Sequence, residues 1–376
     1  MMKKNIMLNR FFNERNHSEN TRKGYRTTIR NLEEMTGYTL EEMINIGKKE
    51  NNLQWEDTQI RDWIIQFRNQ YYNKYKVNTA KKGVQQVKTI FRHYGVHIGE
   101  LPYFSTKRAR TSEEIDYEDL PNRDILQKCI EVKNPLLKAM TLFMSSTGIS
   151  RTDTWNLTIQ DYLTSTIEYH HTDNIYKAIE IMDQQEESII PVFKLKRRKT
   201  GETYRTFASP ESVKAIHNYL LTRHSLENNS RLFDIDFRYI NDLFKDTNDL
   251  LGLGTVNGRS RFSPQMLRSY HASQLSEAGM SDSHIDLLQG RKPSSIARKS
   301  YIRVKRERLR EEYIKCLPYL VVEDINKVRT ELEIVKDENE KLQQENLEYQ
   351  DNLNSIWAEL HDIRVRQDAW EDLKKE

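Results

Sequence analysis

The sequence predicts a mainly helical chain with a small β-sheet, ending in a coiled coil. Three observations carry that expectation: apolar residues recur at helical spacing along most of the chain, one stretch alternates instead, and the last stretch holds a heptad register. At 376 residues, one small core does not suffice and two or three folding units are expected.

Residues 1–101 read as a small all-helical unit. One helix runs through TRKGYRTTIRNLEEM, with Tyr25, Ile29 and Leu32 on an apolar stripe and Arg22, Arg26 and Arg30 repeating every four residues on another side. A short helix follows in LEEMINIG. A third spans TQIRDWIIQFRNQYY, where Ile60, Trp63, Ile64 and Phe67 fall at helical spacing. A fourth starts after an N-cap at Asn78-Thr79 and buries Val84, Val87, Ile90 and Phe91. Lys81, Lys82, Lys88 and Arg92 share that last helix. A basic helix face is most often merely solvated, but two in one small unit favour a polyanionic partner.

Residues 102–121 have proline at both ends, a basic cluster (Lys107, Arg108, Arg110) and then an acidic one, the composition of an interdomain linker. It reads either as a flexible tether or as a strap that neutralises phosphates. Residues 122–320 read as a larger, mostly helical domain with helices through LLKAMTLFMSST, SPESVKAIHNYLL, FRYINDLFKDTNDLL, SPQMLRSYHASQLSEAG and SDSHIDLLQG. The stretch ESIIPVFKLKRRKTGETYRTFAS alternates around a Lys-Thr-Gly turn and predicts a β-hairpin. GLGTVNGRSR reads as a glycine-containing loop that follows no strand, which argues against a dinucleotide-cradling site.

Residues 321–376 carry the heptads. The a positions are Ile325, Leu332, Asn339, Asn346, Leu353, Leu360 and Gln367; the d positions are Val328, Val335, Leu342, Tyr349, Ile356, Ile363 and Trp370. Two asparagines at a positions and the g-to-e′ pairs (Asp324 with Arg329, Glu331 with Lys336, Glu359 with Arg364, Arg366 with Glu371) predict a parallel homodimer. A single long helix, or one folded back on the body, is the alternative.

Charge divides along the same boundary. The tail has 8 Lys+Arg against 16 Asp+Glu, leaving 51 against 40 in the body, within a formal net charge of +3. A basic body favours a nucleic-acid partner and gives the acidic tail a different task. No stretch approaches the roughly 18 apolar residues of a membrane span, and the N-terminus lacks the apolar core of a secretory signal. Cys129 and Cys316 are far apart, which argues against zinc and disulfide scaffolds and for reduced thiols in a cytoplasmic setting.

Two arginines, a lysine and a tyrosine occur in an order that suits metal- and cofactor-free phosphodiester cleavage: Arg151 in STGISRTDTWNL, Lys199 in RRKTGETYRTF, Arg268 in SPQMLRSYHASQL and Tyr301 in GRKPSSIARKSYIRV. That chemistry needs an in-line nucleophile, fixed cations around a transition state carrying extra negative charge, and a proton for the departing 5′-oxygen. The planar fork of arginine donates two parallel hydrogen bonds to non-bridging oxygens, which fits Arg151 and Arg268. A lysine at a hairpin tip fits the proton donor; Lys199 competes there with Lys194, Lys196, Arg197 and Arg198. Tyr301 is the candidate nucleophile, and its phosphoester would conserve bond energy for religation without ATP. His271 and His284 lie nearby and read as core or surface residues.

On these motifs the chain resembles the tyrosine recombinases of the phage integrase superfamily, and among them most the archaeal virus and plasmid integrases. The likeness covers roughly residues 15–310: SENTRKGYRTTIRNLEEMTG resembles the opening helix of the core-binding domain, TGISR supplies Arg151, RRKTGE Lys199, MLRSYHA Arg268, and GRKPSSIARKSY ends in Tyr301. The resemblance implies a helical core-binding (SAM-like) domain, an α+β catalytic domain, cleavage of double-stranded DNA through a 3′-phosphotyrosine, and a tetrameric synapse. Three departures stand out. Gln265 occupies a position that is usually histidine; its amide can hydrogen-bond phosphate but cannot exchange a proton. Arg291 follows Gly290 where a histidine is usual and would add a phosphate clamp, with Lys292 as an alternative. Thr154 stands where an acidic residue commonly braces the first arginine, with Asp153 next to it. Two rivals to the site-specific recombinase are a relaxing enzyme of the type IB topoisomerase kind and an inactive coiled-coil DNA-binding architectural protein.

Overall fold

The computed structural model describes residues 6–106, 116–185, 188–198, 201–291 and 306–323. The chain divides into two compact units, Met1–Glu114 and Ile115–Glu376. The expected coiled coil lies outside the described residues apart from its first three positions, as do Lys107, Arg108, Arg110, Lys199, Lys292 and Tyr301.

The first unit is built from α1 (Ile6–Glu14), α2 (Glu19–Thr36), α3 (Leu40–Glu50), α4 (Gln59–Lys74) and α5 (Val77–His93). Caps set most of these boundaries. The Ser18 hydroxyl accepts from Thr21 N at the start of α2, and Gly37 ends that helix in the left-handed region at φ 76°. Thr39 and Glu42 form a reciprocal capping box on α3, and Thr58 caps α4. The expected N-cap at Asn78-Thr79 is corrected: α5 begins two residues earlier, at Val77, with Lys76 at the cap position and no side-chain cap bond. The predicted stripes converge on one core, with Phe11, Ile29, Leu32, Ile64, Val87 and Phe91 fully buried. Residues 102–106, expected in the linker, are docked on this unit. Arg68 donates to Pro102 O at 2.7 Å and lies over the Phe104 ring, which also packs on Tyr72.

The second unit is mostly helical: α6 (Arg123–Glu131), α7 (Pro135–Thr147), α8 (Arg151–Asn156), α9 (Ile159–His170), α10 (Ile175–Asp183), α11 (Pro210–Leu220), α12 (Tyr239–Leu250), α13 (Pro264–Glu277), α14 (Asp282–Leu288) and α15 (Arg306–Leu320). The expected hairpin is present: β1 (Val192–Lys196) pairs antiparallel with β2 (Thr203–Phe207) in the register Val192↔Phe207 to Lys196↔Thr203. GLGTVNGRSR, expected as a loop, contains a second small hairpin, β3 (Thr255–Val256) with β4 (Arg259–Ser260). Its turn is Asn257-Gly258 with φ of 54° and 73°, positive at both central residues as a two-residue hairpin requires.

Helix α7 is the centre of this unit. Ten of its residues are buried, the polar Thr141, Ser145, Ser146 and Thr147 among them, and α6, α11 and α13 pack on it. Among the described residues no helix is long and apolar enough to cross a membrane, and Cys129 and Cys316 are buried and unpaired.

Candidate active site

The candidate site begins at the C-terminal end of α7. A helix leaves its last carbonyls without intrahelical partners and carries partial negative charge there. Here three elements supply the missing donors. Tyr313 Oη from α15 donates to Ser146 O at 3.0 Å, Thr206 Oγ1 from β2 donates to Thr147 O at 2.7 Å, and Arg268 Nη1 from α13 donates to Gly148 O. Gly148 caps the helix in the left-handed region at φ 61°. A Cβ on it would lie 2.4 Å from His271 Nδ1, so glycine is required twice over, by conformation and by space.

Arg268 is only 5 % exposed. Its Nη2 donates to Gln289 O, the carbonyl at the C-cap of α14, at 2.6 Å. The guanidinium thus sits between the negative ends of two helices. Burial, with Arg291 and Arg197 nearby, lowers its pKa to about 10, which leaves it charged at neutral pH. Two of its five donors are committed to these carbonyls, so the fork is fixed in direction while further N–H groups remain for an anion.

Arg151 arrives from the other side of the same turn. Ser150 caps α8, and Arg151 is that helix's first residue. Its guanidinium lies over the Phe237 ring, 4.3 Å from the centroid, and burial lowers its pKa. Arg151, Gln265 and Arg268 line one cavity of about 540 Å³. Gln265 is exposed and stands one turn before Arg268 on α13, which puts both on the same helix face.

The acidic brace left open by the sequence resolves locally. The Asp153 carboxylate accepts from Ser150 Oγ at 2.8 Å and from Tyr204 Oη at 3.5 Å, while Thr154 donates its hydroxyl to Ser150 O. Asp153 therefore stabilises the start of α8, and its charge acts on Arg268 from beyond ion-pair distance. His271 is fully buried, and burial with the Arg268 and Arg291 charges lowers its pKa to about 3, so it is neutral. Its Nδ1 lies 2.9 Å from Gln289 Nε2, and the same amide donates to Arg268 O at 3.0 Å. His271 is thus an interior support of the Arg268 backbone.

Gly290 and Arg291 close α14. Arg197, just past β1, donates to Gly290 O at 2.7 Å, and a Cβ on Gly290 (φ 59°) would meet the Tyr204 ring at 2.6 Å. Arg197 is thereby committed to this turn, which leaves Lys194, Lys196 and Arg198 as described neighbours of the hairpin tip. Arg291 is exposed, with Nη1 3.8 Å from Asp286 Oδ1, a weak surface pair that a phosphate can displace.

The basic residues of the first unit are differently engaged. Arg22 donates to His17 O at 2.8 Å and to Asn13 Oδ1 at 3.3 Å. Arg26 pairs with Glu19 at 2.7 Å and Arg30 with Glu34 at 3.7 Å. Lys81 and Lys82 are exposed, Arg92 donates to Ile98 O, and burial lowers the pKa of the half-buried Lys88. Sequence reasoning missed Lys245 and Arg259, which line the same cavity as Arg151 and Arg268. For Arg259 the signal was the Asn257-Gly258 dipeptide, a hairpin turn that delivers the residue after it; Lys245, on α12, has no such signal.

No family model matches the chain, and no curated protein sequence matches it. Among solved structures, XerA recombinase is similar with a TM-score of 0.35 at 18% identity, over 82% of this chain and 95% of that one. A lambda integrase dimer bound to a COC′ core site gives 0.46 at 15%, over 80% and 98%. A variant of the Tn1549 transposon integrase in complex with a circular intermediate DNA gives a TM-score of 0.51 at 12% identity, over 81% of this chain and 97% of that one. This chain shares the fold of that integrase.

Proposed function

We propose that the chain is a site-specific DNA recombinase that cleaves and rejoins strands through a 3′-phosphotyrosine. The observation that carries the reading is Arg268, a buried and charged guanidinium held between two helix ends and facing one cavity with Arg151 and Gln265. A cation fixed by main-chain carbonyls needs no reorganisation when charge develops, which is the arrangement electrostatic catalysis favours. The Tn1549 fold likeness supports the same reading.

In the proposed step the Tyr301 oxygen attacks phosphorus as its proton passes to solvent. The Tyr–O–P bond forms, the P–O5′ bond breaks, and Lys199 protonates the departing 5′-oxygen. Arg151 and Arg268 hold the non-bridging oxygens, Gln265 adds a neutral hydrogen bond, and Arg291 adds a third cation. Religation reverses each transfer, so neither ATP nor metal enters the balance. Residues 1–101 would form the core-binding domain, 122–320 the catalytic domain, and 321–376 the dimerising coiled coil of a tetrameric synapse; the heptad register supports that last assignment.

A nicked suicide duplex made from the DNA flanking the coding sequence tests the proposal. Wild type should accumulate a denaturation-resistant protein–DNA adduct, and Tyr301→Phe should bind the duplex but form none. An equal adduct yield from Tyr301→Phe would overturn the assignment. Relaxation of plasmids lacking the flanking DNA would point to the topoisomerase-like rival, and binding without any adduct to the inactive one.

A further inference from the structure

We infer that Lys245 and Arg259 form a second phosphate subsite, which takes a non-scissile phosphodiester of the strand whose scissile phosphate sits at Arg151 and Arg268. The inference rests on the recombinase reading for the identity of the strand. Its structural basis is separate. Four cations, Arg151, Lys245, Arg259 and Arg268, line one cavity against a single carboxylate, Asp242. A phosphodiester carries one negative charge and its pentacoordinate transition state two. In the proposed step Arg151, Arg268 and Arg291 already meet or exceed that charge, so Lys245 and Arg259 are in excess of what one phosphate requires. Neither makes an ion pair with a described residue, although Asp242 lines the same cavity. At about 540 Å³ the cavity has room for more than one phosphate group.

The two side chains are also presented on a rigid frame. The buried Asn248 of α12 grips both ends of the β3–β4 hairpin: its Nδ2 donates to Gly254 O at 3.0 Å, and its Oδ1 accepts from Phe262 N at 2.9 Å. The main chain adds a bond from Leu253 N to Asn248 O at 3.0 Å, and Arg261 donates to Glu118 O. Lys245 lies three residues before Asn248 on the same helix, hence on the same face. Arg259 follows the tight Asn257-Gly258 turn directly, in register with Val256. Asn248 is thus a positioning residue that ties the helix bearing Lys245 to the hairpin bearing Arg259. A subsite of this kind would fix the register of the strand without reading its bases.

The test is the salt dependence of duplex binding, measured for wild type and for the Lys245→Ala/Arg259→Ala double variant. Both positions are exposed, so the fold should persist. The double variant should lower the slope of log affinity against log salt by about two, near one per phosphate-neutralising cation. On a duplex whose cleavage position has been mapped, a neutral methylphosphonate at a linkage flanking the scissile one should weaken wild type several-fold and leave the double variant unchanged. An unchanged slope, or equal sensitivity of both proteins to every flanking methylphosphonate, would overturn the subsite. If wild type forms no adduct and the slope still falls by two, the recombinase reading fails and the subsite stands.

Discussion

Gly148→Ala probes the turn that joins the two arginines. The substitution has two consequences that can be separated. A non-glycine residue held in the left-handed region costs about 1–2 kcal/mol. The added methyl would also lie 2.4 Å from Nδ1, 2.7 Å from Cγ and 2.8 Å from Cε1 of the His271 ring. That ring is fully buried and tied to Gln289, so relief requires moving packed side chains, at about 1–3 kcal/mol. The expected destabilisation is therefore about 2–5 kcal/mol. Gly279→Ala is the control: its φ of 87° is also positive and at least as unfavourable to a side chain, but nothing lies within 4 Å of the added Cβ. Urea denaturation at unchanged m should show Gly279→Ala losing only the backbone share. Gly148→Ala should also slow adduct formation beyond any effect of Gly279→Ala, because Gly148 O is an acceptor of Arg268. The packing argument is wrong if the two variants agree to within about 0.5 kcal/mol.

Arg268→Ala should lower the adduct-forming rate by about 10²–10³, the scale of one lost transition-state donor, and Gln265→Ala by far less, since a neutral amide holds developing charge more weakly. Equal losses would mean that Gln265 does more than hydrogen-bond a phosphate. Glu211, whose carboxylate accepts from Val322 N and Glu323 N at 2.9–3.1 Å, links α11 to the end of α15. Burial raises its pKa from 4.5 to about 7, against the lowering effect of the Glu323 and Val322 N–H bonds; the Glu323 charge adds a smaller rise and Arg123 a smaller fall. A raised folded pKa gives a contribution that is full below pH 4.5 and lost as pH rises through 7. Glu211→Gln removes that loss, so the stability of the variant relative to wild type should rise by at most about 3 kcal/mol between pH 4.5 and 8. Chemical denaturation at both pH values checks this, and a pH-independent difference would contradict it.

The elements most legible in the sequence are those with strong local signals. Helix α13 follows from Ser263-Pro264, which cap and open it, and β1–β2 from alternation on both sides of Gly201. Helices α8, α9 and α10 are absent from the sequence expectation. The first has only six residues, too few for a periodic signal, but α9 and α10 do carry local signals: a Thr158–Asp161 capping box with Ile159, Tyr162 and Leu163 on one stripe, and an Asn174 cap with Ile175, Ala178, Ile179 and Met182 on another. In the site, spacing along α13 brings Gln265 and Arg268 to one face. The partners of Arg268 could not be read in advance, because main-chain carbonyls carry no side-chain signature. The role of Asp153 depends on Tyr204, a residue 51 positions away. Arg259 lies on a hairpin hidden in a glycine-containing stretch, whereas Lys245 sits on a helix that is legible in the sequence but whose solvent face carries no local sign of the cavity it lines.

The most direct measurement is to isolate the trapped adduct, digest protein and DNA, and locate the residual nucleotide by mass spectrometry. The account predicts a 3′-phosphoryl linkage on the peptide carrying Tyr301 and on no other. A nucleotide found on any of the other tyrosines, on a serine, or on no peptide at all would contradict it.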